Sequence, residues 1–334
     1  MKLVTKALPF VVAAAGFFGV ATSGMAQDLK VAIPATPPIW AGMVAHVADQ
    51  EGFYKKYGFN DVLIQAFPIG PQATGAAGRG EFHIGIGPTS PASVAISNAK
   101  MPVVGIAGQN NSDWLIGSTN ADKVTCKSIE GETAAVDRRG GIRFIQLAGL
   151  LRTCGLNPGN VGQLIEVRSA VDQEMISGRA TFGVLHADDV PVIEATGVKI
   201  HTVAIMADIQ PNAHYVMHFA NTAALAKDRD FYVRVTAAHI EAFRFMNDPA
   251  NVERVAAIGG PETGRSQKFA IDAVKFYQSV GYFPVNDNGL DRKKVESSIA
   301  VQKRVGNIEG DPVKYDDMVD LSIYADALKL VDGK

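Results

Sequence analysis

Short apolar runs alternate with helical stripes along this chain, and that alternation sets the expected fold. Residues 29–33 are an apolar run that Pro34, Pro37 and Pro38 break into a loop. Trp40, Met43, Val44 and Val47 then recur at i, i+3, i+4 and i+7, which predicts a helix starting near Trp40. Residues 62–67 read as a second strand, Gly70-Pro71 as a turn, 72–78 as a short small-residue helix and 82–87 as a third strand. Pro88-Thr89-Ser90-Pro91 opens the next helix, with Ser90 expected as its cap and Pro91 at its first position. Residues 103–107 read as a fourth strand.

The pattern restarts after Asn110. Strands are expected at 114–118, 133–136, 164–167, 181–185 and 200–205, and Phe144, Leu147, Ala148 and Leu151 mark a helix. From about Asn221 the chain reads as helical, with one long helix over 230–247 and shorter ones to Leu330. Strands and helices alternating at this spacing predict βαβ units, a mainly parallel sheet and an α/β fold. Two such sets are thus followed by a helical tail. The polar stretches 109–112 and 207–212, the second marked by Pro211, are the expected junctions.

The first 26 residues follow a different rule. Lys2 and Lys6 precede an apolar run over 7–20, and small residues lead to Ala26. That order is the order of a secretory signal peptide, with cleavage expected after Ala26. The run is short for a bilayer span, which takes about 20 residues. Cleavage would leave 308 of the 334 residues and move the formal charge from −2 to −4, because the leader holds two lysines and no acid. Neither that balance nor any basic patch suits nucleic acid. A chain of this length makes two domains of ordinary size, and 47% hydrophobic content fits a compact one. Only Cys126 and Cys154 are present, and in an exported chain a bridge between them is expected.

Catalytic motifs are missing: no G-x-S-x-G, no G-x-x-x-x-G-K-[ST] and no H-E-x-x-H occurs. His214 and His218 lie in a stretch that reads as a strand. Four residues there span about 13 Å, too far for one metal ion. His186 with Asp188 and Asp189 follows the 181–185 strand, and three readings stay open for it: a ligand contact, a polar turn or an acid–base pair. In open parallel sheets, ligands bind where strands end and helices begin. Four such places are visible, at 36–40, 70–72, 87–90 and 137–141. Helix N-termini favour anions, and Arg138-Arg139-Gly140-Gly141 adds cations and a flexible turn at one of them, with Arg143 a third cation nearby. Trp40 reads equally as a stacking surface for a flat ligand and as core.

Four segments resemble those of one family. Glu51-Gly52-Phe53-Tyr54-Lys55-Lys56-Tyr57-Gly58 is similar to an "ekGfFkkeGl" segment, and Gly78-Arg79-Gly80-Glu81-Phe82-His83-Ile84-Gly85 to "sGeiDvgv". Leu156-Asn157-Pro158-Gly159-Asn160-Val161 is similar to "GLdpddV", and Ser177-Gly178-Arg179-Ala180-Thr181-Phe182-Gly183-Val184 repeats the second theme. Together they resemble the type II periplasmic solute-binding proteins of ABC importers, in the branch serving sulfonates, taurine, nitrate and thiamine-pyrimidine precursors.

The resemblance implies a two-lobe periplasmic binding protein type II fold, with a hinge and with C-terminal helices packed on lobe one. Lobe one would hold 27–110 and 212–334, and lobe two 111–211. It implies a monomer in the periplasm that captures a small organic anion, a carboxylate or sulfonate, aromatic ones included, and presents it to an ABC permease in the membrane. Neither catalysis nor a cofactor is expected, nor a metal. The ligand-binding candidates are Thr36, Trp40, Gln72, Thr89, Ser90, Arg138, Arg139, Gly140, Gly141, His186 and Asp188. Two departures stand at pocket positions. His186-Ala187-Asp188-Asp189 replaces a Trp-Glu-Pro-like turn, and Asp137-Arg138-Arg139 replaces a small-residue loop. A neutral thiamine-pyrimidine-like ligand, a ligand-sensing partner of a membrane receptor, and an enzyme on the same fold remain as alternatives.

Overall fold

The computed structural model describes residues 27–109, 111–137, 142–167, 171–285 and 287–333. The leader expected at 1–26 lies outside the described residues, and so do Arg138, Arg139, Gly140 and Gly141. Ten strands follow one another among the described residues: β1 (Gln27–Pro34), β2 (Phe59–Phe67), β3 (Ile84–Pro88), β4 (Val103–Gln109), β5 (Trp114–Ser118), β6 (Thr133–Val136), β7 (Gln163–Glu166), β8 (Phe182–His186), β9 (His201–Ile205) and β10 (Val216–Asn221).

They form two five-stranded sheets, ordered β2-β1-β3-β10-β4 and β7-β6-β8-β5-β9. The sheets are mixed, not mainly parallel. β10 runs antiparallel to β3 and β4, and β5 runs antiparallel to β8 and β9. The second sheet is built from consecutive strands, whereas the first takes one strand, β10, from beyond the second. The chain leaves the first sheet after β4 and returns to it at β10.

β1 is central, pairing with β2 on one side and β3 on the other. Leu29, Val31, Ala32 and Ile33 are all buried, with only Lys30 exposed among them, close to the continuous apolar run of a strand covered on both faces. β2 is an edge strand and alternates between shielded and exposed positions, with Leu63 facing solvent. The Gly70–Gly78 helix begins at the expected Gly70-Pro71 turn and lies almost in contact with β3. A Cβ placed on Gly85 would come 2.5 Å from the Ala73 carbonyl oxygen, and one on Gly87 would come 2.2 Å from the Thr74 hydroxyl. Glycine in the strand and small residues in the helix are what permit that approach.

The helical tail packs on the first sheet's helices. Arg229–Asn247 lies against Met43–Gln50 and Leu321–Asp332, and Val252–Thr263 lies against Met43–Gln50 and Gln267–Ser279. Inside this packing runs a buried polar chain. The Tyr54 hydroxyl is 2.6 Å from His239 Nε2, and His239 Nδ1 is 2.9 Å from His218 Nδ1. Burial lowers the His239 pKa to about 3 and holds His218 well below its ordinary value.

Cys126 and Cys154 are joined by a disulfide, their Cα atoms 6.2 Å apart. It ties the Cys126–Ile129 turn to the end of the Ile142–Thr153 helix. With a sequence separation of 28 between the two cysteines, closing that loop contributes about 3.5 kcal/mol in the chain-entropy model. The double variant C126S/C154S is expected to lose about that much. Urea unfolding of oxidised wild type against the variant, at equal m-values, measures it.

Candidate functional site

The Gln267–Ser279 helix of the tail lies against the Asp189–Glu194 helix that follows β8, and the seam there is lined with charged and aromatic side chains. Asp113 stands at its centre, on the crossing from β4 to β5, and is 1% exposed. Its Oδ2 accepts a hydrogen bond from His186 Nδ1 at 2.8 Å. His186 ends β8 and stacks on Trp114, with ring centroids 3.7 Å apart. Burial alone would lower the His186 pKa. The Asp113 charge and hydrogen bond, with Asp189 beside them, outweigh burial and hold it above the ordinary imidazole value.

Two guanidinium groups reach the same cluster. Arg143, on the Ile142–Thr153 helix, lies 5.1 Å from the centre of the Trp114 ring and 3.9 Å from Asp189. Arg265, between the Val252–Thr263 and Gln267–Ser279 helices, bonds Asp188 Oδ2 at 3.0 Å and Asp189 Oδ1 at 2.7 Å. The Tyr277 hydroxyl stands 3.4 Å from both Asp113 Oδ2 and Asp188 Oδ1. Tyr215 and Tyr282 complete an aromatic wall, Tyr277 lying 5.0 Å from Tyr282 and, on the core side, 5.5 Å from Trp40 between centroids. Burial, then the neighbouring Asp189 carboxylate, raise the Asp188 pKa against the pull of Arg265.

Several buried polar atoms along this seam find no hydrogen-bond partner among the described residues. They are Gln109 Oε1, Asp113 Oδ1, Arg143 Nε and the Tyr282 hydroxyl. Each such group costs about 1–3 kcal/mol when left unpaired, and buried polar groups are normally paired. Two of them accept a hydrogen bond, one donates, and the hydroxyl does either.

The expected site residues meet different fates. His186 and Asp188 sit in the seam, buried and bonded as described. Trp40 is fully buried, against Tyr277 and the Gly259 backbone, so its ring serves the core. Thr89 is also fully buried. His214 Nε2 is 2.5 Å from the Gly289 carbonyl, an acceptor only, so that nitrogen carries the proton. The Thr89 hydroxyl therefore donates to His214 Nδ1, at 2.6 Å. Ser90 is not the helix cap: the Thr89–Ala99 helix starts two residues earlier than expected, with Pro88 at its cap position, because Pro88 has the extended backbone that a cap needs. Thr36 and Gln72 are exposed.

At 137–141 the Asp137 carboxylate accepts from the backbone N–H groups of Arg143 and Phe144, both at 3.1 Å. The protein's own anion thus takes N–H groups at the helix end that looked open to a ligand, while Arg138, Arg139, Gly140 and Gly141 lie outside the described residues. Sequence reasoning missed Asp113, Arg265, Tyr277 and Tyr282. Nothing local marks them, because three belong to helices and loops of the tail that reach the seam only in the folded chain.

Among the described residues no three His, Cys, Asp or Glu side chains form a metal-holding group. No helix among them is long and apolar enough to cross a membrane.

The family described as "NMT1/THI5 like" matches residues 42–251. No curated protein matches the chain by sequence. Among solved structures, the periplasmic nitrate-binding protein NrtA from Synechocystis PCC 6803 superposes with a TM-score of 0.75 at 14% identity, covering 93% of this chain and 90% of that one. The periplasmic aliphatic sulphonate binding protein SsuA from Escherichia coli gives 0.71 at 16% identity, covering 90% and 99%. The desulfurization enzyme DSZB gives 0.65 at 13% identity, covering 91% and 99%. The chain shares the two-lobe periplasmic-binding-protein fold of these neighbours.

Proposed function

From the chain's membership of the NMT1/THI5-like family, we propose that it is the binding protein of an ABC importer, taking a small organic molecule between its two sheets and presenting it to a membrane permease. The two solute-binding neighbours support the role. The observation that carries it is the set of buried polar atoms left unpaired in the seam, Gln109 at the end of β4, Asp113 on the crossing, Arg143 on the Ile142–Thr153 helix and Tyr282 in the tail. A ligand bearing oxygens for Arg143 Nε and Tyr282, and a donor for Gln109 Oε1 or Asp113 Oδ1, would pair them. The aromatic wall suits a flat body.

The ligand in this reading is a small organic acid, with its carboxylate or sulfonate on Arg143 and on one of Arg138 or Arg139. The chain works outside the cytoplasm after losing residues 1–26, as a monomer, and turns nothing over. Residues 27–110 and 212–334 form one lobe, 111–211 the other, and the two crossings act as the hinge.

A second reading draws on Asp113 Oδ1 and Gln109 Oε1, both acceptors. These favour a neutral heterocycle that offers N–H groups.

A thermal-shift screen of the purified chain separates the two, because a ligand that binds only the folded state raises the melting temperature by mass action. The panel holds aromatic and aliphatic carboxylates, alkanesulfonates, nitrate and pyrimidines. Hits among organic acids are expected. Arg143→Gln should then weaken the hit tenfold or more, tenfold being about 1.4 kcal/mol, and one of Arg138→Ala and Arg139→Ala should do the same. Hits confined to pyrimidines, unaffected by these three variants, would favour the heterocycle. Turnover of a hit, abolished by His186→Ala with binding intact, would overturn the binding-protein reading. Normal uptake of the labelled hit in a deletion strain, with a lost response to it, would move the role from transport to sensing.

A further inference from the structure

Arg265 is carried by the helical tail that packs with the first sheet, yet its guanidinium spends its bonds on the second. Nε donates to Asp188 Oδ2 at 3.0 Å and Nη2 to Asp189 Oδ1 at 2.7 Å. Both carboxylates stand where β8 turns into the Asp189–Glu194 helix. They are held from behind as well, because Asp189 Oδ2 accepts the His186 backbone N–H at 3.0 Å. The side chains involved are shielded, Arg265 at 19% exposure, Asp188 at 4% and Asp189 at 14%. A charged fork on two carboxylates in such surroundings is worth more than a surface ion pair and is specific in direction. The Tyr277 hydroxyl spans the same gap from the Gln267–Ser279 helix, reaching Asp113 and Asp188. Among the described residues each sheet pairs only within itself through its strands.

We infer that Arg265 is a positioning residue that clasps the second sheet through Asp188 and Asp189 and makes the closed arrangement the resting form before any ligand arrives. The consequence for capture rests on the binding-protein reading: the ligand enters through a minor open population, and the clasp is remade over it. A protein resting closed admits ligand only in proportion to its open fraction. Loss of the clasp therefore enlarges the open fraction. It also removes bonds that hold the liganded form shut, so association speeds up while residence shortens.

The clasp can be tested without a ligand. X-ray scattering of the ligand-free full-length chain gives the radius of gyration of wild type, Arg265→Gln and Arg265→Lys, and hydrogen–deuterium exchange reads residues 182–190. Wild type should scatter as the closed structure does. Arg265→Gln should show a larger radius and faster exchange over 182–190, with an unchanged near-ultraviolet circular dichroism spectrum apart from the seam aromatics. Arg265→Lys keeps the charge but not the fork and should fall between the two. Should Arg265→Gln fail to fold, Asp189→Asn carries the test, with the same direction expected. A wild-type radius already larger than the closed structure, or variants that scatter and exchange as wild type does, would overturn the clasp. Neither result touches the ligand screen, so the clasp and the binding-protein reading stand or fall separately.

Discussion

Acidification from pH 6.5 to pH 4 is expected to lower the unfolding free energy by on the order of 5 kcal/mol through His214 and His239 alone. Burial lowers the His214 pKa to about 4 and that of His239 to about 3, from an ordinary 6.5, and holds His218 well below it. Between those values the unfolded chain binds protons that the folded chain refuses. The unfolded state then holds more protons, stability rises with pH, and each histidine withdraws about 1.4 kcal/mol per pH unit on the way down. An entire ordinary domain has only about 5–15 kcal/mol to lose. His186 acts with the opposite sign: its pKa is raised, so its contribution is complete below 6.5 and fades as pH climbs through the folded value. Urea midpoints from pH 7 to pH 4 read the slope, and His214→Asn isolates one part of it from the carboxylates that titrate over the same range. A variant with the wild-type slope would remove His214 from the account.

Replacing Trp40 by alanine is expected to cost about 3–5 kcal/mol, the range for emptying a large aromatic from a packed core. The ring is fully buried beside Tyr277, and it lies so close to Gly259 that a Cβ there would stand 2.6 Å from its edge. Gly259→Ala should be destabilising as well, by about 1–3 kcal/mol, through overpacking against the same ring. Equilibrium urea unfolding of both variants decides the matter. A loss below about 1 kcal/mol for Trp40→Ala would return the ring to the ligand side of the seam.

The behaviour of Trp40 shows how far the chain could be read unaided. Its partners at i+3 and i+4 already pointed to a buried stripe, and local periodicity carries that information faithfully. The strands of both sheets were legible for the same reason, with boundary shifts of a residue or a few, as where β2 begins at Phe59 and not at Val62. Pairing order was not legible, because β10 finds its place between β3 and β4 only through contacts more than a hundred residues apart. The site divided along the same line. His186 and Asp188 follow a strand end directly and were visible. Asp113 is polar in a stretch that looked like a linker, and Arg265 lies far along the tail, so only the folded chain unites them. Asp137 was misjudged for a local reason: a carboxylate beside a helix start satisfies that start itself.

β10 has a further consequence, in time and not in space. It is the strand that joins β4 to the rest of the first sheet, yet it leaves the ribosome only after every strand of the second. Until then β4 has no neighbour at all and β3 has one bare edge, so the nascent first sheet waits open. Pairings this remote in sequence form slowly. The same delay sets a hazard. A message cut short before residue 216 would release a product with three bare strand edges, one on β3 and both of β4's, the kind of surface on which chains stack.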